Sequence, residues 1–178
     1  METLIQTIPI LETERLRLRS LRRSDLDDYA ALYADPEVLR YLRCGPEPWD
    51  RGRTWRHMAF QQGHWQFAGA GMWAVEQRET GAFVGMIGFA APEGWPGFEI
   101  AWILARRWWG HGYATEGARA ALGYAFTTWE KDRVISLIHP DNEASAGSCS
   151  AMASIGRPTC KRFRAPRPDT NPRSAPRR

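Results

Sequence analysis

The sequence predicts a single domain of the α+β class, in which a mixed α/β sheet is flanked by helices. Apolar and basic residues alternate over Arg15–Leu21, as they do in a half-buried strand. Three strand-like runs follow one another between residues 72 and 105, with turn residues between them. An alanine-rich helical segment then precedes the continuous apolar run Val134–His139, which is typical of a buried parallel strand.

The composition is that of one globular domain. The chain has 178 residues, of which 43% are hydrophobic and 25% are charged. No apolar run approaches the ~20 residues of a membrane helix, and the N-terminus lacks the basic and apolar segments of a signal peptide. Cys44, Cys149 and Cys160 match neither a disulfide framework nor a zinc site. We therefore predict a soluble, cytoplasmic protein without a metal site.

The N-terminal third predicts one strand followed by two helices. The strand buries Leu16 and Leu18 and turns its arginines to solvent. Ser24 is expected to cap a helix that ends near Asp35. A second helix is expected from Asp50 to about Phe67. Its predicted packing face consists of Trp55, Met58, Ala59 and Gln62.

The central part predicts an antiparallel meander, followed by a helix and a parallel strand. The strands of the meander are expected at Met72–Arg78, Ala82–Ala90 and Phe98–Ala105. The helix is expected from about His111 to Trp129, with a closely packing face of alanines. Val134–His139 then adds the buried parallel strand.

The C-terminal segment differs in composition from the rest of the chain. Residues 144–178 contain no Leu, Val, Trp or Tyr, hold five of the twelve prolines and carry a net charge of +7. We predict that residues 147–178 are disordered, because such a segment buries too little apolar surface to offset its ordering entropy. Nucleic-acid binding, an alternative function, would depend on this basic tail alone.

Two glycines mark the junction between the third strand of the meander and the alanine-rich helix. Gly110 and Gly112 lack the Cβ atoms that would keep a phosphate away from the backbone. The N-terminus of a helix offers unpaired amides and the positive end of the helix dipole. The junction is therefore either an anion site suited to phosphate or an ordinary strand-to-helix turn.

An ordered set of motifs resembles the GNAT superfamily of N-acetyltransferases, in particular the branch that includes ribosomal-protein N-terminal acetyltransferases. The motifs are ETERLRLR, DPEVLRYL, FVGMIGF, EIAWILARRWWGHGYATEGARAAL and RVISLIHPDNEAS, and they span roughly residues 11–145. The resemblance implies a GNAT-like central mixed sheet with a splayed parallel strand pair. It also implies acetyl-CoA as cofactor and transfer of the acetyl group, by direct attack, to a primary amine of a peptide N-terminus or a small molecule.

The resemblance implies where coenzyme A binds. The phosphate loop matches literally at Arg107–Gly112, but we prefer the register Trp109–Ala114, which places Tyr-Ala-Thr-Glu in the first helical turn. Pantetheine is expected to run along the backbone near Ile103 and Leu104. The implied cofactor-binding residues are Ile103, Leu104, Trp109, Gly110, His111, Gly112, Tyr113, Ala114, Thr115 and Asn142.

The resemblance also implies the catalytic residues. Glu99 is the implied base, although a solvent-exposed carboxylate at the strand edge is an alternative interpretation, and His139 is an alternative base. Ser145 would donate a proton to the departing sulfur, and amides near Trp102 and Ile103 would hold the developing oxyanion. Four tryptophans either line an acceptor pocket or pack in the core, namely Trp55, Trp65, Trp73 and Trp102.

The chain departs from the family pattern after Ser145. A helix and a final pair of strands are expected there, and the chain instead continues into the basic tail. We therefore predict a domain over residues 1–146 without its C-terminal strands, with the native reading frame lost near Ala146. The strand Val134–His139 would then present an open edge suited to a homodimer. A truncated coenzyme A-binding protein without activity is the corresponding alternative function.

Overall fold

The computed structural model describes residues 7–42, 44–45, 47–152 and 159–162. The strands are β1 (Leu11–Glu12), β2 (Leu16–Arg19), β3 (Met72–Gln77), β4 (Phe83–Ala90), β5 (Glu99–Leu104), β6 (Ile135–Ile138) and β7 (Thr159–Arg162). The helices are α1 (Leu26–Ala34), α2 (Pro36–Leu39), α3 (Arg51–Ala68), α4 (Tyr113–Thr127) and α5 (Glu143–Ala151). These strands form one sheet in sequential order, antiparallel from β1 to β5 and parallel from β5 to β7. The predicted α+β class with a mixed sheet is confirmed.

Strand β2 buries more than its apolar residues. Leu16 and Leu18 are fully buried, as predicted. The expectation that the arginines of this strand face solvent is wrong for Arg19, which is only 4% exposed. Its guanidinium bonds Glu76 at 2.5 Å and Asp25 at 2.8 and 2.9 Å, so the buried charge is compensated.

The two predicted helices are present, but their details differ from the prediction. The helix α1 begins at Leu26 after a 3-10 turn, and Ser24 does not cap it. Helix α3 begins after Asp50, whose carboxylate accepts a hydrogen bond from the Arg53 amide at 2.6 Å. The predicted packing face of α3 is wrong in part, because the exposed fraction of Trp55 is 58%. The buried residues of α3 are Thr54, Met58, His64 and Trp65.

The predicted meander is confirmed as β3, β4 and β5. Two glycines of β4 are required by close contacts of the backbone. A Cβ on Gly85 would lie 2.2 Å from the carbonyl oxygen of Ile103, and one on Gly88 would lie 2.3 Å from that of Gly71. No side chain larger than hydrogen fits at either position without movement of the main chain.

The sheet has a core on each face. Alternate residues of β5 point to opposite faces. Ile100 and Leu104 join the core under α4, together with Ala118, Ala121 and Leu122. Ala101 and Ile103 contact the other core, which contains Tyr29, Tyr33 and Trp49 and lies under α1 and α3. The alanines of α4 pack closely against the sheet, as the sequence predicts.

Strands β5 and β6 separate immediately after they pair. Their register contains one residue pair, Glu99 with Ile135, and the Ile135 amide donates to the Phe98 carbonyl at 2.9 Å. In a continuous parallel ladder the Leu137 amide would donate to the next carbonyl of β5. It donates instead to the Glu99 carboxylate, at 3.2 Å. The expected splayed parallel pair is therefore confirmed.

The expectation that the C-terminal strands are absent is wrong. The chain after Ser145 continues as α5, and β7 pairs with β6 over the whole length of β6. The predicted open edge of the strand Val134–His139 is therefore covered. The exclusion of disulfides is also wrong, because Cys149 in α5 is bonded to Cys160 in β7.

Some residues assigned to a disordered tail belong to these elements. Residues 147–151 complete α5, and residues 159–162 form β7. The rest of the predicted tail, residues 153–158 and 163–178, lies outside the described residues. The division into a domain over 1–146 and a disordered tail stays a prediction. Within the described part of the chain, no helix combines the length and apolarity that a membrane crossing requires.

Candidate active site

The gap between β5 and β6 opens into a cavity of about 890 Å³. The cavity brings together residues from α1, α2, α3, β5, β6 and the start of α4 and α5. Of the residues implied by the family resemblance, all but His111 and Thr115 line it. Those that do are Glu99, Ile103, Leu104, Trp109, Gly110, Gly112, Tyr113, Ala114, Asn142 and Ser145.

The glycine loop lies where the chain passes from β5 into α4. Gly110 and Gly112 have left-handed φ angles of +76° and +77°, which favour glycine. A Cβ on Gly110 would meet no heavy atom within 4 Å, so the loop is open on that side. The first amides of α4 have no partner within the helix, and they lie at the positive end of the helix dipole. These residues fit a phosphate group, as the anion-site interpretation requires.

Two loop residues lie apart from the cavity. His111 is exposed, and its Nδ1 atom donates to the carbonyl of Trp109 at 2.9 Å. Thr115 lines a second, shallower cleft beside Arg15 and Arg119, which shares Gly112 with the first cavity. The backbone of His111 belongs to the loop, but the residue is not part of the cavity wall.

The start of α4 is held by an ion pair with the N-terminal segment. Glu116 accepts hydrogen bonds from the Thr13 hydroxyl at 2.6 Å and from the Arg15 amide at 3.0 Å, and it pairs with the Arg15 guanidinium at 2.6 Å. Burial raises the pKa of Glu116, but these hydrogen bonds and the Arg15 charge outweigh it and lower the pKa below its usual range. The charged carboxylate therefore fixes the helix that carries the glycine loop.

Trp109 and Arg107 have different roles in the loop. Trp109 lines the cavity, and its indole N–H donates to the Leu104 carbonyl at 2.8 Å. Arg107 donates to the Phe83 carbonyl at 3.1 Å and does not line the cavity. Trp109 therefore contributes to the cavity wall, and the register Trp109–Ala114 of the phosphate loop stays a prediction.

The backbone of β5 presents alternate residues to the gap. The Phe98 carbonyl accepts a hydrogen bond from β6, whereas the Ala105 amide donates to the Val84 carbonyl of β4. Because backbone groups alternate in direction along a strand, these two bonds fix which residues of β5 turn toward the gap. Trp102 and Leu104 therefore turn their backbone groups to the gap, and Ile103 turns its own to β4. The Leu104 carbonyl accepts from the Trp109 indole, and the amides of Trp102 and Leu104 are backbone donors that face the gap.

Glu99 is buried at the point where the two strands separate. Its exposed fraction is 6%, so the alternative of a solvent-exposed carboxylate is excluded. One carboxylate oxygen accepts from the Leu137 amide at 3.2 Å, and the other accepts from the Trp95 indole N–H at 2.7 Å. Sequence reasoning missed Trp95, because a residue in a loop of prolines and glycines carries no periodic signal.

Asn142 and Ser145 are brought together at the start of α5. The Asn142 side-chain oxygen accepts from the Ser145 amide at 3.1 Å and caps the helix. The Ser145 hydroxyl accepts from the Trp102 indole N–H at 3.3 Å. Because this bond occupies a lone pair of the hydroxyl oxygen, the hydroxyl hydrogen stays available to donate into the cavity.

Aromatic residues line the end of the cavity under α1 and α3. The rings of Tyr33 and Trp49 stack with centroids 4.4 Å apart, and His57 contacts both. The His57 ring lies 2.8 Å from the Tyr29 hydroxyl and 3.3 Å from the Gln61 amide nitrogen. Burial, followed by the Arg53 charge, lowers the pKa of His57 to about 4. This imidazole is therefore neutral at physiological pH.

The remaining tryptophan and histidine candidates divide between core and cavity. Trp65 and Trp73 are fully buried in the core, and Trp55 lies on the outside of α3. Trp102 and His139 line the cavity, and His139 Nδ1 accepts from the Asp141 amide at 3.2 Å. His64 is buried and bonded to the Ala70 carbonyl at 2.7 Å, as a packing residue.

The charges on the cavity wall are negative. Among the described lining residues there is no Lys or Arg. The charged ones are Glu37, Glu99, Asp141 and Glu143. These side chains would favour a positively charged group such as a protonated amine.

The separating strands and the glycine loop at the start of α4 together form a site that is suited to an extended, phosphate-bearing cofactor. A family model described as an acetyltransferase (GNAT) domain matches residues 15–152, and the chain belongs to this GNAT acetyltransferase family. The chain is therefore an N-acetyltransferase that uses acetyl-CoA and acts on an amine acceptor.

Three similar proteins are consistent with this assignment. The uncharacterized protein YkkB of Bacillus subtilis is 35% identical over 138 residues, which cover 76% of this chain and 78% of the relative. An acetyltransferase from Agrobacterium tumefaciens, known from its crystal structure, is 33% identical in sequence, with a TM-score of 0.74. The match covers 85% of this chain and 86% of the acetyltransferase chain. A ribosomal L7/L12 alpha-N-protein acetyltransferase solved with coenzyme A shares the fold at 19% identity, with a TM-score of 0.69 and coverage of 80% and 81%.

Proposed function

We propose that this enzyme transfers the acetyl group of acetyl-CoA to a primary amine by direct attack, with Glu99 as the base. The observation that carries the proposal is the position of Glu99. This carboxylate is buried in the cavity wall where β5 and β6 separate, and both of its oxygens accept a hydrogen bond. An ionised carboxylate is an acceptor of hydrogen bonds and protons, so Glu99 can take a proton from the acceptor.

The two ends of the cavity suit the two substrates. The glycine loop and Ser145 lie on the α4 and α5 side of the sheet, and the side chain of Glu99 follows the parity of Ala101 and Ile103 toward α1 and α3. Coenzyme A would bind through the loop amides, with Thr115, Tyr113 and Ala114 beside them, and supplies the thioester. The acceptor would enter from the side of Tyr33 and His57.

Two further groups support the transfer. The Trp102 amide faces the gap and is the donor best placed for the oxyanion that develops on the thioester carbonyl. Ser145 is oriented by Trp102 and would protonate the departing sulfur. The acceptor ammonium first loses one proton to Glu99, which passes it to solvent. As the N–C bond then forms and the C–S bond breaks, Glu99 takes the second nitrogen proton and the sulfur takes the Ser145 proton, which solvent replaces. Asn142 contributes by fixing the helix that carries Ser145.

The acceptor class follows from the cavity wall. Primary amines are protonated at neutral pH, and the described lining has four carboxylates and no basic residue. A peptide N-terminus and a small-molecule amine both meet this requirement. The cytoplasmic location and a homodimer stay predictions, although β7 covers the edge that suggested the dimer.

A panel of acceptors tests the proposal. We would measure release of the coenzyme A thiol with tetrapeptide amides that begin with Ala or Ser, and with spermidine as a small amine. At least one acceptor should be acetylated, and Glu99→Gln should lower kcat by about 100-fold or more, as expected for loss of a general base. The control Glu79→Gln changes an exposed carboxylate in the β3–β4 turn and should retain the rate. Equal rates for Glu99→Gln and the wild type would refute the role of Glu99.

A further inference from the structure

Trp95 lies in the loop that joins β4 to β5 and folds back over the start of β5. Its amide donates to the Pro92 carbonyl at 2.9 Å, which closes a tight turn. Gly94 has a left-handed φ of +77°, as the third position of such a turn requires. The turn and the two flanking prolines therefore hold Trp95 at the cavity, which its side chain lines.

The indole of Trp95 contacts the carboxylate of Glu99 directly. The distance from Nε1 to Glu99 Oε2 is 2.7 Å, which is typical of a charge-assisted hydrogen bond. The opposite oxygen is held by the Leu137 amide of β6. The carboxylate is thus fixed from two sides, by the loop and by the separating strand.

The chemistry of the indole limits what this contact can do. The indole N–H is a hydrogen-bond donor only. It therefore stabilises the ionised carboxylate and cannot accept a hydrogen bond from the protonated one. A base that accepts a proton from an ammonium group must start ionised and must present a lone pair in a fixed direction. The contact supplies both conditions.

We propose that Trp95 is a positioning residue of the reaction, which orients the Glu99 carboxylate and favours its ionised form through the indole N–H. The proposal rests on the role of Glu99 as base given above. Trp95 itself forms no bond with the reacting atoms and exchanges no proton. Its effect reaches the acceptor amine only through Glu99.

A purely structural role of Trp95 makes a different prediction. If the indole only fills space, Trp95→Phe lowers the rate by the same factor at every pH. If the N–H stabilises the ionised carboxylate, the same change moves the titration of Glu99 to higher pH. Other titratable groups share the cavity, namely Tyr33, Glu37, Tyr41, Cys44, His57, Tyr113, His139, Asp141 and Glu143. The substitution leaves each of these residues in place, so a shift confined to the Glu99 signal reports on the indole.

The test is a titration of Glu99 in the full-length wild type and in Trp95→Phe. Carbon-13 carboxyl NMR of glutamate-labelled protein follows the group, and Glu99→Gln identifies its signal. We expect Glu99 to titrate about one pH unit higher in Trp95→Phe, as loss of a charge-assisted hydrogen bond implies. The matched control Trp55→Phe, on the exposed side of α3, should titrate as the wild type does. Identical midpoints in the wild type and Trp95→Phe would overturn the proposal.

A second measurement applies even if Trp95→Phe does not fold. In the wild type, the nitrogen-15 signal of the Trp95 indole should shift with the midpoint of Glu99, and this shift should vanish in Glu99→Gln. An indole signal that ignores pH would contradict the proposal. Neither titration requires an acceptor, so failure of the base role would appear separately, as full activity of Glu99→Gln.

Discussion

Gly112 is the position where backbone strain and cofactor binding can be separated by one substitution. Its φ of +77° lies in the left-handed region, where an alanine costs about 1–2 kcal/mol. A Cβ there would meet only the Arg15 guanidinium, at an ordinary contact distance of 3.6 Å. Gly112→Ala should therefore fold, with its free energy of unfolding lowered by the strain alone.

The same Cβ should weaken acetyl-CoA binding. It would project from the N-cap residue of α4, beside the amides that suit the pyrophosphate. Displacing a phosphate from such charge-assisted hydrogen bonds costs about 1.5–3 kcal/mol, which corresponds to roughly a tenfold to hundredfold weaker Kd. Calorimetric titration with acetyl-CoA measures this change.

Gly81→Ala is the matched control. Gly81 has a similar φ of +71° and nothing within 4 Å of its Cβ position, but it lies in the β3–β4 turn. The two variants should lose similar stability in denaturant unfolding, and Gly112→Ala alone should lose affinity. Wild-type affinity in Gly112→Ala, or an equal loss of affinity in both variants, would refute the assignment of the phosphate site.

Three further predictions concern stability and cysteine chemistry. Arg19→Met leaves two buried carboxylates without their shared cation and should lower the free energy of unfolding by about 3–5 kcal/mol in urea titrations, whereas a loss below 1 kcal/mol would contradict the buried network. Because the pKa of His57 is lowered from 6.5 to about 4, the unfolded chain binds the proton first. Stability should fall by roughly 2–3 kcal/mol as the pH drops from 6.5 to 4, and His57→Gln should remove that part of the pH dependence. A thiol assay of the denatured protein should count one free thiol, that of Cys44, without reductant and three after reduction. Three free thiols without reductant would refute the Cys149–Cys160 disulfide.

The sequence predicts this fold well where periodicity and turn chemistry act locally. The alternation around Leu16 and Leu18 and the three runs of the meander are local patterns, and the structure confirms them. The predicted start of the second helix at Asp50 is also local, and the structure adds that Asp50 caps this helix. The short helix α2 was missed because four residues give too few turns for a periodic signal.

Long-range contacts explain the errors. The burial of Arg19 depends on Glu76, which is 57 residues away, and strand alternation alone cannot predict it. The strand β7 contains the polar residues Thr159 to Arg162, which form a strand by pairing with β6 and lack apolar alternation. The disulfide adds a restraint that cysteine counting did not indicate.

The sequence predicts the glycine loop of the candidate site more fully than the side chains of the wall that faces the acceptor. A phosphate needs a fixed backbone shape, so glycine spacing before a helix indicates its location. The wall that faces the acceptor is built from α1, α2 and α3, and its residues have no common spacing. Tyr33, Trp49 and Trp95 therefore emerged only from the structure.

Radiolabelled acetyl transfer by the intact chain tests the central claim most directly. Protein would be incubated with acetyl-CoA labelled in its acetyl group, with and without the tetrapeptide amides and spermidine, and then denatured. Burial raises the pKa of the Cys44 thiol in this cavity, which disfavours its thiolate form. We expect the label to appear on an amine, in equal amount to the coenzyme A released, with none on the protein. Label retained on the denatured protein, or no transfer to any amine, would contradict direct attack in this cavity.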